Sequence, residues 1–173
     1  MKRITSLFLA LAAVASTSGA TLLPLVQPQG GTLTLERLAS KYEEATFLGQ
    51  ARVTGTFVAQ WVVGVDETSP NTKQFRLIPR QDSAKGLPYF QGFPVTKIDV
   101  TNGMKALQLA AGSKVAADFA SKKAMLIRTE GVYLISNYIV AVECDAQWAG
   151  ATILAAESPQ VLVSSKNPER FGC

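Results

Sequence analysis

A chain of 173 residues with no histidine and only two cysteines is closed to several chemistries at once. Ser-His-Asp and Cys-His nucleophilic sites, His-ligated metals and four-cysteine zinc centres all need residues it lacks. The formal charge of +4 falls to +2 once Lys2 and Arg3 are set aside with the leader described next, so no dedicated nucleic-acid face is expected.

Met1-Lys2-Arg3 gives a positive start, Leu7 to Ala15 is an unbroken apolar run, and Ser16 to Ala20 is a stretch of small residues ending in Ser-x-Ala. That order is the signal-peptide pattern. The apolar run is well short of the roughly 20 residues a spanning helix needs. Residues 1–20 are therefore expected to be removed on export, leaving 153 residues. A periplasmic or secreted location is expected, in the envelope of a bacterium, with no membrane span in the mature chain. Thr21 to Gly31 holds two prolines and ends in Gly-Gly, so residues 21–33 read as an extended leader. Residues 34–173 form a single β-rich domain.

Leu35, Leu38, Ala39 and Tyr42 fall at i, i+3, i+4 and i+7 with Thr34 as N-cap, and predict a helix over 34–44. From Ala51 to Val65 the odd positions are apolar or small, while Arg52, Thr54, Thr56 and Gln60 lie between them. This alternation predicts a half-buried strand. At about 3.3 Å per residue it would run roughly 50 Å, so it must bend or break, and Gly55 and Gly64 allow that. Asp66 to Lys73 is a turn by composition, and Gln74 to Pro79 a second strand. Gln81 to Pro94 is a long loop. Asn102-Gly103 predicts a tight hairpin between strands over 95–101 and 104–109. Ser113 to Ser121 is read as a short helix capped by Ser113, with a strand as the alternative. Strands follow over 124–128, 132–135, 138–144, 148–156 and 160–164.

The fold class is thus mainly β, with one or two short helices. A curling first strand, hairpins and a small helix before the final strands resemble an OB-like five-stranded barrel in element order, over about residues 49–156. A β-sandwich or a lipocalin-like barrel fits the same pattern. Cys144 and Cys173 are expected to form one disulfide in an oxidising compartment, tying down the polar C-terminal tail. The 30-residue loop it closes corresponds to about 3–4 kcal/mol in the chain-entropy picture.

No phosphate-binding glycine loop and no Ser-x-x-Lys spacing occurs. No cofactor and no metal is expected, since Asp66, Glu67, Thr68, Ser69 and Asn71 read as a turn rather than a cation loop. Glu143 and Asp145 share a strand face and offer a carboxylate pair, though they also suit a solvated strand end. Lys122, Lys123 and Arg128 read as a solvated face. The candidate ligand surface is Arg76, Arg80, Lys85, Tyr89, Phe90 and Phe93, where cations flank aromatics and prolines between strands. The same aromatics would also serve to cap a barrel. The expected function is a non-enzymatic binding domain of the envelope whose partner is a protein or an envelope polymer. The alternatives are a carboxylate-dependent hydrolase of envelope glycans and an OB-type nucleic-acid binder outside the cytoplasm.

Overall fold

The computed structural model describes residues 23–39, 43–62, 71–143 and 146–166. The expected leader peptide, both cysteines, Asp145 and residues 66–70 of the expected turn lie outside them.

Residues with alternating burial make the frame. The strands are β1 (Leu25–Val26), β2 (Leu33–Ala39), β3 (Glu44–Val62), β4 (Thr72–Pro79), β5 (Tyr89–Phe90), β6 (Ile98–Val100), β7 (Leu126–Glu143) and β8 (Ala146–Ser165). The helices are α1 (Gln81–Ala84) and α2 (Gly103–Ala120). Along β3, Val53, Phe57, Ala59 and Trp61 point into the core, while Arg52, Thr54 and Thr56 face outward. Every inward side chain needs a partner layer, and β3 is long enough to gather three strands around itself. It pairs antiparallel with β2, with β4 and with β7. β4 pairs with β6, β6 runs parallel to β8, and β8 pairs antiparallel with β7. The pairings close a ring of five strands in the order β3-β4-β6-β8-β7. The architecture is therefore a barrel-like ring of strands, with helix α2 between β6 and β7.

Aromatic side chains fill it. Phe57 lies between Phe75 and Tyr133, with ring centroids at 6.5 and 6.2 Å. At one end Phe119 of α2 packs on Trp61 and Phe75, at 5.9 and 5.8 Å, and accepts a 2.8 Å hydrogen bond from Trp61 Nε1 at its carbonyl. Near the start of β3, Phe47 packs on Tyr138, whose hydroxyl donates to the Pro88 carbonyl at 3.0 Å. The 80–94 segment thus folds over the Phe47–Tyr138 end of the barrel, and Leu87 and Phe90 are buried there.

Three expectations are corrected. Residues 34–39 belong to a strand, not a helix, because Leu33 and Leu35 turn inward against β3, whereas Leu38 is 47% exposed. A bulge between Leu35 and Arg37 breaks the alternation and gives it a false helical spacing. Asn102-Gly103 is no hairpin, since α2 begins at Gly103 and residues 104–109 are helical. The Asn102 carboxamide is engaged elsewhere. Its Nδ2 donates to the Ile153 carbonyl at 2.8 Å and its Oδ1 accepts from the Ile153 N–H at 3.0 Å. The residue pair that favours a tight turn is thereby spent on β8, and the chain leaves β6 as a helix. The expected helix over 113–121 is the second limb of α2, beyond a break at Gly112 (φ 86°). The strands expected over 124–144 are one strand with irregularities, as are those over 148–164.

Burial also sets the alkaline limit of the fold. Tyr138 is fully enclosed, and loss of water pushes its phenol well above the ordinary value near 10. Burial likewise raises Tyr133, against a partial opposing effect of the Thr129 hydroxyl at 3.0 Å. The folded state keeps these protons at a pH where the unfolded chain has released them. Their contribution is complete below about pH 10 and is lost as pH rises beyond it. We expect tyrosinate absorbance from these two residues to appear only together with unfolding, and Tyr138→Phe to diminish that step. Ionisation of Tyr133 or Tyr138 preceding any change in far-UV circular dichroism would contradict this.

Candidate functional site

The loop that covers the barrel end also builds a concavity. Alternation on β4 sends Leu77 inward and Arg76 and Ile78 outward. Past Pro79 the chain leaves the sheet, and Arg80 N–H donates to the Thr54 carbonyl at 2.8 Å. The short helix α1 follows, and β5 then pairs with β1. The Phe90 N–H is held by Gln147 Oε1 at 2.8 Å. A groove of about 690 Å³ results, walled by Pro79, Lys85, Tyr89, Pro94 and Thr96.

The six candidate residues do not converge. Lys85 is exposed and Tyr89 half-buried, and both line this groove. Phe90 is only 1% exposed and belongs to the core, while Phe93 is half-buried and packs against it. Arg80 turns away to pair with Glu130, at a shallower cleft shared with Glu157. Arg76 lies on the outer barrel wall, 3.4 Å from Asp99, in a second groove of about 250 Å³. Arg128, Lys97, Val58 and Gln60 line that second groove as well, and Thr96 borders both.

Arg128 therefore acts apart from Lys122 and Lys123. Lys122 sits over the Trp61 ring, with Nζ 4.8 Å from its centroid, and Lys73 lies at 4.9 Å. Lys97 and Gln60 had no signal of their own in the sequence. Strand register brings Gln60 beside Arg76, and the chain approaching β6 brings Lys97 there.

A ring face, two prolines and a rim cation can hold and orient a ligand, and nothing in the groove is a nucleophile beside a base. Glu143 is exposed at the end of β7. Among the described residues no three acidic or cysteine side chains gather so as to hold a metal ion. No described helix is long and apolar enough to cross a membrane. Comparison with protein-family models, with curated proteins and with solved structures finds no match to this chain.

Proposed function

We propose that the chain is an exported, non-enzymatic binding domain of the bacterial envelope, and that the groove around Tyr89 takes its ligand, a segment of protein or of envelope polymer. The observation that supports this reading is the way the groove is mounted. Its volume lies within the range of ordinary ligand sites. Its aromatic wall stands beside Phe90, which is anchored in the core, and beside Pro88, which is tied to Tyr138. A recognition surface fixed in this way loses little freedom on binding. The leader pattern at residues 1–20 supports the location, and the lack of histidine supports a role without catalysis.

The test begins with a photo-reactive side chain at position 85, used to capture the ligand from envelope extract. The captured molecule is then titrated against the wild type and Tyr89→Ala. Loss of the ring from the groove wall should weaken binding by about tenfold or more. Lys85→Gln should have a smaller, salt-dependent effect, as for a rim charge. Equal affinity of the wild type and Tyr89→Ala, with both folded, would remove the groove from consideration.

A further inference from the structure

We propose that Asn102-Gly103 is a self-modifying site. The closed barrel protects the Asn102 carboxamide, any opening between β6 and β8 releases it to spontaneous deamidation, and the product keeps the two strands from closing again. The site is independent of the groove around Tyr89.

The chemistry lies in the dipeptide. Of the four asparagines, only Asn102 is followed by glycine. Without a Cβ, glycine is the successor that least hinders attack by its own nitrogen on the preceding carboxamide. The Gly103 nitrogen bonds to Asn102 Cγ, the Cγ–Nδ2 bond breaks, and ammonia leaves with the proton that Gly103 gives up. Water then opens the five-membered imide at either carbonyl. Opening at Cγ gives aspartate. Opening at the main-chain carbonyl gives isoaspartate, which lengthens the main chain by one carbon. No oxidant, metal or enzyme is required.

The fold blocks the first step. Asn102 Nδ2 donates to the Ile153 carbonyl at 2.8 Å, and Oδ1 accepts from the Ile153 N–H at 3.0 Å. Attack makes Cγ tetrahedral and expels Nδ2, so both bonds must first be given up. The main chain is held as well. The Asn102 carbonyl accepts from the Ala106 N–H at 3.0 Å, and Gly103 is buried against the Phe75 ring. This protection lasts only while β6 lies on β8. Two register pairs and the bonds of Thr101 to the Ala151 carbonyl hold them together there. So short a pairing opens at lower free energy than the long ladders of β3 and β7.

Neither product restores the contact. Aspartate can still accept from the Ile153 N–H, but its second oxygen meets the Ile153 carbonyl with no proton between them. Isoaspartate displaces the start of α2 and lifts Gly103 from Phe75. The labile pair is nonetheless fixed by packing. A Cβ at residue 103 would overlap the Phe75 ring, and most replacements of Asn102 lose donor and acceptor together.

The experiment holds the purified protein at about pH 8.5, below the alkaline limit of the fold, either folded or unfolded in guanidinium chloride. Peptide mapping by mass spectrometry follows residue 102. The unfolded chain should deamidate there at least about tenfold faster than the folded one. Thr101→Val removes the hydroxyl bonds to the Ala151 carbonyl and to Thr152 without touching the carboxamide. It should speed the folded-state reaction by about threefold and leave the unfolded rate unchanged. Asn102→Asp reproduces one product, and should melt roughly 5 °C below the wild type or fail to fold. Three results would overturn the proposal: equal rates in the folded and unfolded protein, a folded-state rate unaltered by Thr101→Val, or an Asn102→Asp variant that melts with the wild type.

Discussion

Gly55→Ala is expected to destabilise the fold by at least about 3 kcal/mol, and to leave much of the expressed chain unfolded. Gly55 stands where β3 is hydrogen-bonded on both sides, opposite Pro79 of β4 and Gly131 of β7. A Cβ built there overlaps the Ile78 carbonyl oxygen and lies 2.9 Å from Pro79 Cα and 3.1 Å from the Ile78 carbonyl carbon. All three obstacles are backbone, so no side-chain rotation clears them. The methyl fits only if β4 withdraws from β3, which would open the hydrogen-bonded pairing from Gly55 to Val62. Urea unfolding followed by far-UV circular dichroism measures the loss. The neighbouring Thr56→Ala, on the half-exposed outer face, should stay within about 1 kcal/mol of wild type. If the two substitutions proved equally mild, the close crossing of β3 and β4 would be wrong.

Phe119→Ala should cost about 3–5 kcal/mol, the usual range for a fully buried phenylalanine. For a domain of this size that corresponds to a fall in melting temperature of roughly 10 °C. Phe119 is 0% exposed and is the main plug that α2 inserts into the barrel end, against Trp61 and Phe75. Removing the ring leaves a cavity that the β-barrel cannot collapse to fill, since its walls are held by ladders on both sides. The effect is local enough to be seen directly. Trp61 loses its ring partner while its indole N–H bond to the residue-119 carbonyl loosens with the helix. In a Trp148→Phe background, Trp61 emission should shift to the red and its quenching by iodide should rise. Unchanged emission alongside lowered stability would place the damage elsewhere.

The inward and outward faces of β3 could be read directly over Ala51 to Phe57, where a period of two has no other stable use than one wet and one dry face, whereas from Phe57 to Trp61 both faces are buried. The ring closure follows from the same pattern, since so long a strand must find partners on both edges. Asn102-Gly103 misled because its local turn preference is outweighed by bonds to Ile153, about fifty residues away. The Phe75 ring lies where a Cβ on residue 103 would be, so Gly103 answers to packing and not to a turn. Leu35 and Leu38 misled because one bulge can mimic a helical interval.

The candidate surface was legible only in part, for a related reason. Tyr89 and Phe90 are neighbours of similar character, yet one lines a groove and the other is buried, as successive residues on a strand must be. Sequence places both in the loop but does not say which faces out. Arg128 meets Arg76 across Val58 through pairings that span some seventy residues of chain on one side. No local pattern carries that register.

The join between β6 and β8 is as narrow as that between β4 and β6. Two register pairs, Asp99 with Gly150 and Val100 with Ala151, are extended by the backbone of Thr101 and then by a side-chain amide imitating one more residue of strand. The partners at this seam lie far apart along the chain, so their meeting carries a large ordering cost and waits for everything between them to be in place. The molecule is best pictured as a curled sheet fastened by a small clasp, with Asn102 as its hook.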